Sequence, residues 1–269
     1  MQCLRSPQGI MRSAGERARG ESEVFLNSPH AETGMHRTRE RFKTYKGVFD
    51  EFTLRNIFKL ASEGHFEGLV SPISVGKESN VFSARTKEGA FVAVKIYRLE
   101  NCDFNRMYDY IKGDPRFTGL LKQRRKVIFA WAQREYRNLL IAHEAAVAAP
   151  LPITVKSNVL VEEFIGNGGA APRLINAPPQ DPEAFLGQLL TEMRKLGQHG
   201  LTHGDLSAFN ILNHGEKPVL IDLSQATVRD NARFKELFER DCRTVAEYFT
   251  KIGCTMTTER IMRRVGDAT

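Results

Sequence analysis

The chain has 269 residues, 41% of them hydrophobic, a formal net charge of +7 and a pI of about 9.3. That is enough apolar material for one two-lobed domain or two small ones, and it excludes a wholly disordered chain. No apolar run approaches the roughly 18 residues of a membrane span, and the N-terminus has no apolar signal-peptide core, so a cytoplasmic protein with no membrane partner is expected. Cys3, Cys102, Cys242 and Cys254 form no CxxC pair and read as free thiols of a reducing compartment. The basic balance suits RNA, a ribonucleoprotein or nucleotide phosphates, and equally a plain solvated surface.

Residues 1–48 divide into an Arg-, Ser-, Gly- and Glu-rich stretch to residue 35 and a basic continuation, and read as a disordered extension. Met35 resembles a second start. Phe52, Leu54, Ile57, Phe58 and Leu60 then predict a helix ending near Gly64. Strands are predicted over Leu69–Ser74, Asn80–Arg85 and Ala90–Tyr97, the last two joined by a turn at Lys87-Glu88-Gly89. The polar connection 98–119 reads as a flexible loop. A long helix follows from Leu121 to about Ala146, then a strand over Val159–Phe164. Asp181-Pro182 caps a helix carrying Phe185, Leu186, Leu189 and Leu190. Ile211–Leu212 and Val219–Asp222 form a hairpin, and Ala232–Ile252 is the last helix. The division expected is 49–164, 165–254 and a tail over 255–269.

His203-Gly204-Asp205-Leu206-Ser207-Ala208-Phe209-Asn210 has the form H-x-D-x-x-x-x-N, and an apolar strand ending in Asp222 follows. That spacing is the catalytic loop and metal-binding Asp of a protein-kinase-like phosphotransferase. One carboxylate, Asp205, must meet the attacking hydroxyl or water. Asn210 and Asp222 supply hard oxygen ligands to Mg²⁺, which takes few ligands from protein. His203 is read as holding the loop shape. Gly76-Lys77-Glu78-Ser79-Asn80-Val81, between two strands, can lie over phosphates, although by itself it is more often an ordinary hairpin turn. Lys95, in Val92-Ala93-Val94-Lys95, needs a partner if buried. Glu135 lies on the long helix between Trp131 and Leu139 and is the partner expected; the plainer reading puts it on a solvated face. Lys122–Lys126 is a basic run that reads as a solvated helix face or as a contact to RNA phosphates.

Together, Ile73–Val81, Val94–Arg98, Tyr110-Ile111-Lys112-Gly113-Asp114-Pro115-Arg116-Phe117, Glu135–Leu139, His203–Leu212 and Ile221-Asp222-Leu223-Ser224-Gln225 resemble the RIO family of atypical serine/threonine kinases. The pattern is that of its type-one branch as found in archaea, and it covers roughly Phe49 to Ile252. The resemblance implies an α+β, two-lobed protein-kinase-like fold. Its N-lobe is β-rich with one long helix, and its short C-lobe is mostly helical and lacks the activation segment. The chain after Asp222 agrees, with no Ala-Pro-Glu. ATP and Mg²⁺ or Mn²⁺ are the implied cofactors. Val75, Gly76, Lys77, Glu78, Ser79, Val81, Lys95, Glu135, Asn210 and Asp222 are the implied nucleotide and metal residues, with the backbone of Glu163 and Ile165 meeting the adenine. Asp205 and Asp222 are the implied catalytic pair, Asp222 as a transient phosphate acceptor. The implied work is autophosphorylation, protein phosphorylation or ATP hydrolysis, with the small ribosomal subunit precursor and its rRNA as partners. The sequence departs from type one at Val75 and Ser79, at Glu162 before the hinge, and at Arg229-Asp230-Asn231. His-Gly-Asp-Leu…Asn alone fits a small-molecule phosphotransferase of the aminoglycoside or choline type equally well, and a non-catalytic RNA-binding factor stays open.

Overall fold

The computed structural model describes residues 49–100 and 102–266. The extension expected over 1–48 lies outside them. The first lobe is built on an antiparallel sheet of five strands in the order β1-β2-β3-β5-β4: β1 Gly68–Val75, β2 Ser79–Arg85, β3 Phe91–Tyr97, β4 Pro152–Lys156 and β5 Val159–Glu163. Side chains alternate across it. Phe82, Val94, Ile96, Val159 and Val161 face α1 (Glu51–Ser62) and pack with its Ile57 and Leu60. Asp50 caps α1 by accepting from the Thr53 N–H at 3.0 Å. On the opposite face, the pairings Val81↔Lys95, Ala93↔Glu162 and Lys95↔Leu160 bring these residues together.

Residues 98–119 are not the loop expected. They carry α2 (Phe104–Ile111) and a 3₁₀ turn at Pro115–Phe117. Met107, Tyr110 and Ile111 are buried against Val127, Ile128 and Trp131 of α3 (Arg124–Glu144). Phe104, Met107, Tyr108 and Ile111 recur at helical spacing, a signal that reading the connection as a polar loop passed over; docking on α3 stabilises so short a helix. Strand β4 was also not anticipated, because it begins at Pro152 and lies at the sheet edge with Ile153 exposed.

The second lobe packs α4 (Pro182–Gln198), α5 (Phe234–Lys251) and α6 (Thr258–Val265) around Phe185, Leu189, Phe238, Val245 and Phe249. Two short ladders, β6 (Leu201–Thr202) with β9 (Thr227–Val228) and β7 (Ile211–Asn213) with β8 (Pro218–Leu220), frame the loop between them. Residues 223–233 alone connect Asp222 to α5, through a 3₁₀ turn and β9, so no long activation segment intervenes. The segment 255–269, expected to be a tail, instead carries α6. Thr257 caps it, and its Ile261 is fully buried. Its buried stripe is Ile261 and Val265, one turn apart, with Met262 packed beside them, a run short enough to be passed over as a periodic pattern. No helix among the described residues is long and apolar enough to cross a membrane.

If α6 is part of the core, Ile261→Ala lowers the unfolding free energy by about 2–4 kcal/mol. Urea denaturation reads this as a lower midpoint at unchanged slope. A midpoint within error of the parent would mean that α6 adds nothing to the core.

Candidate active site

Between the lobes lies an open cleft of about 650 Å³, walled by Val81, Ala93, Lys95 and Glu162 above and by Asn210, Leu212, Ile221 and Asp222 below. Its centre is Lys95. The ammonium lies 2.7 Å from Glu135 Oε1 and 2.9 Å from Asp222 Oδ1. The other Glu135 oxygen accepts from the Tyr97 hydroxyl. Sheet, long helix and second lobe therefore meet at one cation. Burial opposes the charge on Lys95, but the Asp222 and Glu135 carboxylates outweigh it and hold the amine protonated well above its ordinary range. Asp222 is also disfavoured by burial, yet Lys95 and the Ser224 hydroxyl hold it down to about 2. Its side chain remains about two-fifths exposed to the cleft. For Glu135, burial wins and its carboxyl is raised.

The turn between β1 and β2 is closed by the Gly76 N–H donating to Ser79 O at 2.9 Å, and Arg98 N–H donates to Glu78 O at 2.9 Å. Gly76, Lys77, Glu78, Ser79 and Val81 line the cleft; Val75 does not, and its side chain faces solvent. An irregular register between Pro72 and Ser74 turns Ile73 and Ser74 to the cleft instead. Glu78 is raised by burial and by the Asp222 carboxylate.

The catalytic loop needs a glycine. Gly204 has φ +75°, and a Cβ there would stand 2.6 Å from Gln225 O. Buried Asp241, on α5, accepts from Gly204 N–H (2.7 Å), Leu206 N–H (2.9 Å) and the Thr202 hydroxyl (3.0 Å). His203 Nε2 lies 3.1 Å from Ile221 O, tying the loop to the strand that ends in Asp222. Asp205 Oδ2 accepts from Asn210 Nδ2 (3.2 Å) and Gln225 Nε2 (3.1 Å). Burial raises Asp205, and the nearby Asp222 charge adds to that against the pull of His203. Asn210 uses its amide nitrogen on Asp205, which leaves its oxygen as the atom able to accept a hydrogen bond or meet a cation. Asp222 itself sits at φ 61°, ψ 64°, left-handed backbone that is uncommon for any residue but glycine.

Sequence reasoning missed what holds that strained residue. On α3, fully buried Arg134 donates to Asp114 Oδ2 (3.0 Å), Ser224 O (2.7 Å) and Thr227 Oγ1 (3.0 Å). One turn on, Asn138 Nδ2 donates to Leu223 O (2.8 Å) and Ala226 O (2.9 Å). Burial lowers Arg134 to about 10 against the pull of Asp114. Three polar residues, Arg134, Glu135 and Asn138, on the buried part of one helix were the signal available. Ser224 and Gln225 belonged to the stretch that carries the family resemblance, but nothing in the sequence assigned either a contact. Glu163 ends β5 and Ile165 follows it where the chain crosses between lobes, and both line the cleft. The Glu163 N–H donates to Leu151 O and the Ile165 carbonyl accepts from Ala171 N–H. Among the described residues the Ile165 N–H donates to no protein acceptor.

A two-lobed fold with an ammonium between two carboxylates, and an Asp and an Asn on one loop beneath, defines a kinase-like protein. The pattern of the RIO domain family matches residues 80–262. A protein of Haloferax volcanii named RIO-type serine/threonine-protein kinase Rio1 is 41% identical over 215 residues, 80% of this chain and 74% of that one. Its namesake in Methanocaldococcus jannaschii is 39% identical over 214 residues, 79% of this chain and 73% of the other. The chain belongs to the RIO family. Its fold is similar to the Rio2 kinase of Chaetomium thermophilum, solved as an ADP/Mg²⁺–phosphoaspartate complex. The TM-score is 0.61 at 20% identity, over 80% of this chain and 66% of that one.

Arg134→Leu leaves the Asp114 carboxylate buried with Arg116 as its remaining ion-pair partner, and is expected to cost about 3–5 kcal/mol of stability. In a double-mutant cycle with Asp114→Asn, the double variant should lose less than the sum of the singles. Additive losses would show that the two side chains are not coupled.

Proposed function

We propose that the chain is an ATP-dependent serine/threonine kinase with ATPase activity, acting in maturation of the small ribosomal subunit. The single observation that carries this is the Lys95 ammonium bridging Glu135 and Asp222 in a cleft that Asn210 also lines, with Asp205 hydrogen-bonded to Asn210. In this reading the adenine lies between Val81, Ala93 and Ile221, with its edge on the backbone of Glu163 and Ile165. The phosphates lie under the Gly76–Ser79 turn and against Lys95. The donor set fits Mg²⁺, or Mn²⁺: Asn210 and Asp222 line the cleft and offer hard oxygens, and the Asp222 carboxylate stays ionised. Such an ion would supply charge neutralisation for the transferring phosphoryl group.

Asp205 then positions the acceptor hydroxyl and takes its proton as oxygen bonds to the γ-phosphorus and the bond to ADP breaks. Gln225 and Asn210 hold its carboxylate in place. A protein Ser/Thr hydroxyl, one of the chain's own hydroxyls, or water can fill the acceptor position. Asp222 is itself a nucleophile candidate, since its carboxylate stays ionised and open to the cleft. The +7 charge favours an RNA-containing partner such as the small-subunit precursor.

The test is incubation with γ-labelled ATP, with and without small-subunit precursors, followed by acid and base treatment of any protein-bound label. Label stable to acid marks a hydroxyl ester; label lost in both acid and base marks an acyl phosphate; no label and no released phosphate would sink the proposal. Asp205→Ala should lower transfer by roughly 10²–10⁴-fold while ATP binding persists. Near-parental turnover would remove Asp205 from the mechanism. The base must be ionised to accept a proton, and its folded pKa is raised. Activity is therefore present above that pKa and lost as pH falls through it, and the acid limb of kcat/KM should lie above the ordinary Asp value of about 3.9. A limb at or below that value would contradict the assignment.

A further inference from the structure

Glu162 is an acid in the wall of the cleft, and the phosphate chemistry makes no use of it. Its place follows from strand register. Glu162 lies opposite Ala93 on β3, and Leu160, two residues earlier on the same face, lies opposite Lys95. The side chain therefore shares the cleft face with Lys95, one strand step nearer the crossing segment Glu163–Ile165. Ala93 is too small to cover it. A ring stacked between Val81 and Ile221 with one edge on Ile165 would turn its next edge to Glu162.

We propose that the Glu162 carboxyl reads the nucleobase, binding the N6/N7 edge of adenine and favouring ATP over GTP. This deepens the reading of the cleft as an ATP site and rests on it. Adenine offers an amino donor at N6 and an acceptor at N7 on that edge, whereas guanine offers two acceptors, O6 and N7. A neutral carboxyl has one donor and one acceptor and so matches adenine as a glutamine side chain does. The groups around it are Lys95 and Tyr97 on β3, Glu135 on α3 and Asp222 after β8. Burial and the Glu135 carboxylate, opposed by Lys95, push Glu162 up to about 8, so it carries its proton at neutral pH. One cation is already shared by Glu135 and Asp222, and among the described residues Glu162 forms no ion pair of its own.

The experiment measures binding of Mg·ATP and Mg·GTP by calorimetry to the parent, Glu162→Gln and Glu162→Met, each with its thermal midpoint. The parent should favour ATP. Glu162→Gln keeps the donor–acceptor pair and should keep the ratio, whereas Glu162→Met should narrow it by roughly tenfold or more. Raising the pH through 8 removes the donor from the parent and should narrow its ratio too, but should leave that of Glu162→Gln unchanged. Equal ratios in the parent and the Met variant, or no ATP preference in the parent, overturn this inference alone. A parent that binds neither nucleotide overturns the ATP reading together with it. Should the Met variant not fold, the pH comparison between parent and Glu162→Gln decides, and equal pH responses overturn the inference.

Discussion

One buried ammonium organises this protein. Lys95 stands on a central strand, on the cleft face, where an unpaired charge would cost several kcal/mol. It is tolerated because Glu135 reaches it from α3 and Asp222 from the second lobe. Those two contacts tie the lobes together and leave one carboxylate, Asp222, partly open to the cleft. Removing either acid changes the state of the other two groups, so the three titrate and position one another as a unit.

The long helix α3 is the part through which this unit is braced. Within two turns it presents Glu135 to Lys95, and Arg134 and Asn138 to the carbonyls of residues 223–226. Asp222 occupies left-handed backbone, and such strain persists only where surrounding bonds over-determine it. Arg134, Asn138 and the Ser224 hydroxyl provide those bonds. Asp241 does the same for the catalytic loop, with three donors converging on one buried carboxylate. Asp205 and Asp222 are thus held from opposite sides, by α5 and α3.

Most of the regular elements could be read from periodicity: α1, β2, β3, β5 and α5 all have runs long enough for a face to show. The elements that were missed share a cause. Strand β4 begins at a proline on a sheet edge, and α2 and α6 bury only two or three side chains each. Helices this short take their stability from their neighbours, and eight residues of apolar spacing are easily passed over in a polar stretch. At the site, Lys95, Glu135, Asp205, Asn210 and Asp222 could be named because kinase chemistry demands those residue types at those spacings. Val75 was named as a nucleotide residue but lies outside the cleft, because an irregularity in β1 turns the strand there and gives Ile73 and Ser74 its place.

The sequence by itself determined the family, named Lys95, Glu135, Asp205 and Asp222 as charged groups of the candidate site, and paired Lys95 with an acid on the long helix. These depend on residue identity and on spacing along the chain. Only the tertiary structure decided that Arg134 and Asn138 brace the turn after Asp222, that Gln225 holds Asp205, that residues 104–111 and 258–265 are helical, and that Glu162 faces the cleft. Each of these depends on contacts between residues far apart in the chain, where burial and hydrogen-bond geometry rather than local pattern select the outcome.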